Sequence, residues 1–176
     1  MTKLFLDFDG VVNFEGSRSA YRKNKNTLGY LQQDIVHSRL GIFRINYSAE
    51  LVRKLNSART AHGFEWLWLT TWVNEAKMLL DPKIGSHSNG SVDWDPHSRL
   101  GVDYQDTRAS RKYEALKKSY DGEPFVWVDD EATVKFDAAD FDVPTLVVAP
   151  NPTYGVSKTE LATMLEFFAA HSRKDS

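Results

Sequence analysis

The chain contains no cysteine, which excludes a disulfide framework, a thiolate zinc centre and a cysteine nucleophile together. It also lacks any apolar run of about 18 residues, so no segment reads as a membrane span. Neither sign of charge dominates. Lys and Arg total 22 against 24 Asp and Glu, a formal net charge of −2. Such a balance does not describe a basic nucleic-acid coat, although it is compatible with a basic patch on one face. Internal repeats and low-complexity tracts are absent. The opening stretch Met1-Thr2-Lys3-Leu4-Phe5-Leu6-Asp7 meets an acid too early for a signal peptide, and the expected location is the cytoplasm. With 176 residues, 41% hydrophobic and 26% charged, the chain has an ordinary soluble composition that excludes collagen-like and wholly disordered classes. One domain is expected over residues 1–176, with a polar tail at 171–176.

Four apolar runs end at acidic, hydroxyl or proline residues. Leu4-Phe5-Leu6 leads into Asp7-Phe8-Asp9-Gly10, and Phe64-Glu65-Trp66-Leu67-Trp68-Leu69 into Thr70-Thr71-Trp72. Phe125-Val126-Trp127-Val128 leads into Asp129-Asp130-Glu131, and Thr145 to Ala149 into Pro150. Runs of this length without clean alternation read as strands buried on both faces. Trp66, Trp68 and Trp127 are then core residues.

Helical patterns lie between these runs. Ser48 is a candidate N-cap for a helix carrying Leu51, Leu55 and Ala58 and ending near Gly63. A second helix is expected from Val73 to Leu80, stopped by Pro82, and a third from Arg111 to Tyr120. Ser157 and Glu160 have the spacing of a capping box ahead of Leu161, Met164, Leu165 and Phe168. Strands alternating with helices predict a mostly parallel α/β sheet. Two stretches depart from this alternation. Residues 13–46 are basic and polar, then offer Gly41-Ile42-Phe43-Arg44-Ile45 as a strand of a hairpin. Residues 82–110 read as a long loop without an apolar run.

Ligands of an open parallel sheet bind beyond the carboxyl ends of its strands. Asp7, Thr70, Asp129 and Asp130 all stand at that end of separate expected strands, with Asp9 two residues after Asp7. Carboxylates gathered there repel one another unless a cation sits among them. An all-oxygen donor set without thiols favours a hard divalent ion, most simply Mg²⁺. A phosphate ester is the substrate such a site implies. Asp7 can present an oxygen to phosphorus, and Asp9 can reach the leaving group as an acid. Gly10 permits a sharp turn out of the strand.

Asp7-Phe8-Asp9-Gly10-Val11-Val12 resembles the first motif of the haloacid dehalogenase-like (HAD) phosphohydrolases. Thr70 resembles the second motif, Lys112 the third and Val128-Asp129-Asp130 the fourth, all in order. The forms around Thr70 and Asp129 are most similar to a small bacterial and phage HAD group that includes the HAD domains of RNA-repair proteins. The resemblance implies a HAD-like Rossmannoid sheet with only a minimal cap, formed by a flap over residues 13–46. It implies a Mg²⁺-dependent phosphomonoesterase in which Asp7 forms an aspartyl-phosphate and Asp9 is the acid and base. It further implies that Thr70 binds a phosphoryl oxygen and that Lys112 neutralises charge on the nucleophile. Asp7, the backbone carbonyl of Asp9, and Asp129 or Asp130 would hold the metal, with Asp130 the favoured direct ligand.

Plainer readings compete at several positions. Thr70 or Thr71 can cap a helix beginning near Trp72, and Arg111, Lys117 and Lys118 rival Lys112. Trp72 either packs in the core or walls the pocket and stacks on a base. Asp93, Asp95 and His97 with His87 could in principle hold zinc, although loop residues of this kind usually face water. Arg18, Tyr21, Arg22, Lys23 and Lys25 form either a solvated flap or a contact for a phosphate backbone. The expected substrate is therefore a nucleotide or a polynucleotide-end phosphate, with Arg18, Arg22, Thr71 and Trp72 as binding residues. No membrane and no obligate protein partner is indicated. The rival readings are a general small-metabolite phosphatase or nucleotidase and a HAD-fold binding protein without turnover.

Overall fold

A computed structural model describes residues 1–96, 108–134 and 136–172. Along the chain the regular elements are β1 (Lys3–Leu6), α1 (Arg18–Lys23), β2 (Leu31–Ser38), β3 (Gly41–Ser48), α2 (Ala49–His62) and β4 (Glu65–Trp68). They continue with α3 (Asp81–Ile84), β5 (Gly90–Ser91), α4 (Arg108–Ser119), β6 (Phe125–Val128), β7 (Thr145–Val148) and α5 (Lys158–His171). The expected α/β architecture is observed. Five strands form a parallel sheet in the order β5-β4-β1-β6-β7, and β2 and β3 form a separate antiparallel hairpin.

The strand runs are continuously apolar because both sheet faces are covered. Leu4 and Leu6 point into one layer with Trp66, Trp68, Val126 and Val128, where α2 and α5 bring Leu51, Leu55, Met164 and Phe168. Phe5, Phe125 and Trp127 point into the opposite layer, closed by Tyr113 and Leu116 of α4 and by Phe141. Trp66, Trp68 and Trp127 are fully buried. Their rings bury large apolar areas, at roughly 25 cal/mol per Å² removed from water.

The helix ends follow their local chemistry. The Ser48 side chain accepts from the Leu51 N–H at the start of α2, and Ser157 with Glu160 forms the expected capping box on α5. The helix after Thr70 differs from expectation. Pro82 does not stop it. The segment Ala76–Leu80 takes π geometry and runs into α3, with Pro82 in the first turn of α3. This proline directly follows the wider π turn, in which the Asp81 N–H donates to the Ala76 carbonyl. Termination comes instead at Gly85, in the left-handed region at φ 72°.

Two further differences concern the irregular stretches. The hairpin expected within residues 13–46 extends to Ser48, and its base is linked to the first loop through Asn13, which bridges both Asp9 and Tyr47. Residues 82–110 contribute the edge strand β5, of two residues paired with Leu67 and Trp68. Residues 97–107 and the end of the polar tail, 173–176, lie outside the described residues. No helix among the described residues is long and apolar enough to cross a membrane.

Candidate active site

The ladder does not stop at the strand ends. Asp7 N–H donates to the Val128 carbonyl at 2.9 Å, Asp129 N–H to Val148 at 3.1 Å, and Leu69 N–H to Leu6 at 2.9 Å. Asp7 and Asp129 are thereby held side by side at the carboxyl edge, with Thr70 one residue beyond Leu69 on the other flank of β1. Carboxylate oxygens of Asp7, Asp129 and Asp130 come within 4.8 Å of one another, and this is the only acidic or histidine cluster of that kind among the described residues. His97 lies outside the described residues, and no cluster joins Asp93, Asp95 and His87.

Lys112 enters this cluster from α4. Its Nζ donates to Asp7 Oδ2 at 2.5 Å and to Asp129 Oδ2 at 2.7 Å, and its side chain is 2% exposed. Among the cationic candidates considered on this helix, Lys112 is the one that reaches the carboxylates. Lys117 instead pairs with Glu114 at 2.7 Å, and Arg111 donates to the Pro96 carbonyl.

Burial sets the electrostatics. It raises the Asp7 carboxyl to about 7 against the pull of Lys112, with the Asp129 charge adding to the rise. Burial also raises Asp129, again against Lys112. Asp130 is raised to about 6 by burial and then by the Asp7 charge. For Lys112, burial opposes the ammonium form, but Asp7 and Asp129 outweigh it and hold the amine charged beyond its ordinary range. One lysine thus leaves three crowded carboxyls short of positive charge, which is the condition that a bound cation relieves.

Gly10 makes the crowding possible. It turns at φ 76°, and a Cβ built there would lie 2.7 Å from Asp130 Cγ. Only a residue without a side chain allows the first loop to pass so close to this carboxylate.

Asp9 stands apart from the cluster. Its Oδ1 accepts from Asn13 Nδ2 at 2.7 Å and its Oδ2 from Trp72 Nε1 at 2.9 Å. The Trp72 ring packs edge-on against Phe8 and Phe43 at centroid distances of 5.8 and 5.1 Å. Neither reading of Trp72 offered by the sequence included this hydrogen bond to the acid. Nothing in the residue pattern distinguishes Asn13 either, and a Trp–Asp contact across 63 positions leaves no local signal.

Thr70 is 1% exposed and its Oγ1 has no hydrogen-bond partner among the described residues. Its carbonyl accepts from Val73 N–H at 3.0 Å and from Trp94 Nε1 at 3.1 Å, which fixes the residue while leaving the hydroxyl unused. Thr71 and Trp72 are half-buried beside it. Arg18 and Arg22 lie on α1, exposed and without a hydrogen bond or ion pair among the described residues. The structure does not bring these two arginines into contact with the carboxylates.

Residues 3–161 match the family described as the HAD domain in Swiss Army Knife RNA repair proteins. The chain belongs to this family. No curated protein and no solved structure matches it. Membership covers the whole sheet, the hairpin, the loops carrying Asp7, Thr70 and Asp129, and the helix carrying Lys112. It places the chain among HAD-type phosphohydrolases related to RNA repair. The parallel sheet with acids at its carboxyl edge is the architecture such a domain requires.

Proposed function

We propose that this HAD domain is a Mg²⁺-dependent phosphomonoesterase that works through an aspartyl-phosphate on Asp7. The observation that carries the reading is the buried bridge from Lys112 to Asp7 and Asp129, beside Asp130. A merely structural ion pair would have no use for the two further carboxylates crowded around one lysine.

Asp7 attacks phosphorus while Asp9 passes a proton to the departing ester oxygen. Asp9 as carboxylate then takes a proton from the water that attacks the aspartyl-phosphate, releasing phosphate and restoring Asp7. Lys112 offsets the charge on Asp7 and on the transferring group, a contribution that is large in a dry site. The Thr70 hydroxyl, buried and unused, is available to donate to a phosphoryl oxygen. A polar group left unsatisfied at such burial costs roughly 1–3 kcal/mol, which a bound phosphate removes.

The donor set fits Mg²⁺: oxygen only, with three carboxylates short of positive charge. Asp7, the Asp9 carbonyl and Asp130 would hold the ion, which supplies electrophilic polarisation of the phosphoryl group. Asp129 serves as support: it is fully buried with Oδ2 on Lys112, whereas Asp130 is half-buried and more open to an ion.

The chain forms one domain in this reading, with residues 13–46 as a flap rather than a separate cap. The substrate is a nucleotide or a nucleic-acid end. That choice is supported by the family's link to RNA repair and by the exposed cations of α1. A panel of phosphate monoesters assayed in Mg²⁺ and in EDTA tests the proposal. Metal-dependent turnover favouring oligonucleotide ends supports it. Preference for sugar phosphates indicates a metabolite phosphatase instead, and binding without turnover indicates a non-catalytic protein.

A further inference from the structure

The two donors that grip Asp9 are themselves attached to the hairpin. Asn13, whose Nδ2 donates to Asp9 Oδ1, accepts through its Oδ1 from the Asn46 backbone N–H at 2.8 Å. Trp72, whose Nε1 donates to Asp9 Oδ2, packs its ring on Phe43. Asn46 and Phe43 both belong to β3. The sheet supplies the backbone of Asp9, and the hairpin holds both hands on its carboxylate.

The hairpin is also latched to the segment that follows Trp72. Arg39 at its turn pairs with Glu75 at 2.6 Å, Asp34 faces Lys83 at 3.4 Å, and Tyr47 Oη donates to the Lys83 carbonyl at 3.3 Å. Val73, next to Trp72, is the only non-glycine residue with positive φ among the described residues, at 46°. A β-branched residue there is a true outlier and persists only where its surroundings dictate the turn. The turn directly follows Trp72, the residue whose indole N–H reaches Asp9.

We propose that Asn13 and Trp72 are positioning residues for Asp9, and that the hairpin β2–β3 sets their grip and so the aim of the acid. The inference rests on the reading of Asp9 as general acid given above. A carboxyl works as a general acid only while it lies within hydrogen-bond reach of the leaving oxygen. With either donor removed, or with the hairpin displaced, the carboxyl is free to rotate away from that direction. Substrates whose leaving group needs a proton then suffer most.

The full chain is assayed in Mg²⁺ on nitrophenyl phosphate, whose leaving group departs without help, and on an alkyl phosphate, whose leaving group does not. The readout is the ratio of kcat/KM for alkyl over nitrophenyl ester. Asp9→Asn should lower this ratio most. Trp72→Phe, which keeps a ring against Phe43 but loses the N–H, should lower it by about tenfold, a part of the roughly 10²–10⁴-fold that acid catalysis supplies. Asn13→Ala should do likewise. Phe43→Ala, which removes no group that touches Asp9, should lower it by about threefold.

Should Trp72→Phe fail to fold by thermal denaturation, Asn13→Ala and Phe43→Ala decide the matter. A ratio that falls in Asp9→Asn but holds at the wild-type value in the other variants overturns this inference alone. Equal losses on both esters in those variants, which a structural role would give, overturn it as well. An unchanged ratio in Asp9→Asn overturns the acid assignment itself, and the positioning roles fall with it.

Discussion

Lys112 Nζ lies 2.5 Å from Asp7 Oδ2, although the two residues are 105 positions apart and the lysine comes from a helix covering one face of the sheet. The ammonium is the only positive charge bonded to Asp7 among the described residues, and it is shared with Asp129. Lys112→Met should therefore leave two buried carboxyls without their counter-charge. Removing one partner of a buried pair typically costs about 3–5 kcal/mol, expected here at pH 8 in the metal-free protein. The loss should shrink toward pH 5, as Asp7 and Asp130, raised to about 7 and about 6, take up protons. Denaturant unfolding of both proteins at the two pH values checks this, and a pH-independent loss would count against it.

Asp7→Asn should act in the opposite direction on stability. The Asp7 carboxyl sits at about 7 in the folded chain against an ordinary 3.8. Across that window the folded chain holds a proton that the unfolded chain has released, so stability falls as pH rises. The penalty is fully present above about pH 7 and absent below about pH 4. An amide has no such penalty. In EDTA the variant should melt above wild type at pH 8, with the difference fading as pH falls to 4. A variant that melts below wild type at pH 8 would contradict the electrostatic account of the site.

Gly10→Ala joins two costs that can be separated. The residue must keep φ near 76°, and its Cβ would meet Asp130 Cγ at 2.7 Å. The backbone cost of roughly 1–2 kcal/mol should persist when Asp130 is changed to Ala, whereas the steric part should vanish. A double-mutant cycle on unfolding free energy should show coupling in the range of about 0.5–3 kcal/mol for residues in contact. Strict additivity would mean that the loop and Asp130 do not touch as described.

The exposed cations at Arg18, Arg22, Lys23 and Lys25 make a further prediction. If they contact a polynucleotide backbone, neutralising all four should raise KM for oligonucleotide ends. It should also flatten the dependence of log K on log salt by up to about three units, through lost counterion release. Titration of binding at several salt concentrations measures the slope. A variant with the wild-type slope leaves this segment as a solvated surface.

Most of the sheet was legible in the sequence because four of its strands lie in apolar runs, and three of these lead into a polar residue of the site. Asp7, Thr70 and Asp129 could be placed from that punctuation alone. Lys112 stood among neighbouring cations, and only its inward direction on α4 separates it from Lys117 and Arg111. The edge strand β5 was illegible because a glycine and a serine make up the whole of it. Pro82 misled because the helical backbone passes through it by way of a π turn and ends only at Gly85. The grip on Asp9 was hidden for a different reason. Asn13, Phe43 and Trp72 meet only after the hairpin docks, and no spacing rule records such contacts.

The central claim is that Asp7 becomes covalently phosphorylated during turnover. Rapid quenching of the protein in Mg²⁺ with a phosphorus-labelled monoester, followed by peptide mapping, tests it most directly. The account predicts label on the peptide carrying Asp7, lost on treatment with alkali or hydroxylamine as an acyl phosphate is, and absent from Asp7→Asn. Sustained turnover with no label on the protein, or label on a residue other than Asp7, would contradict it.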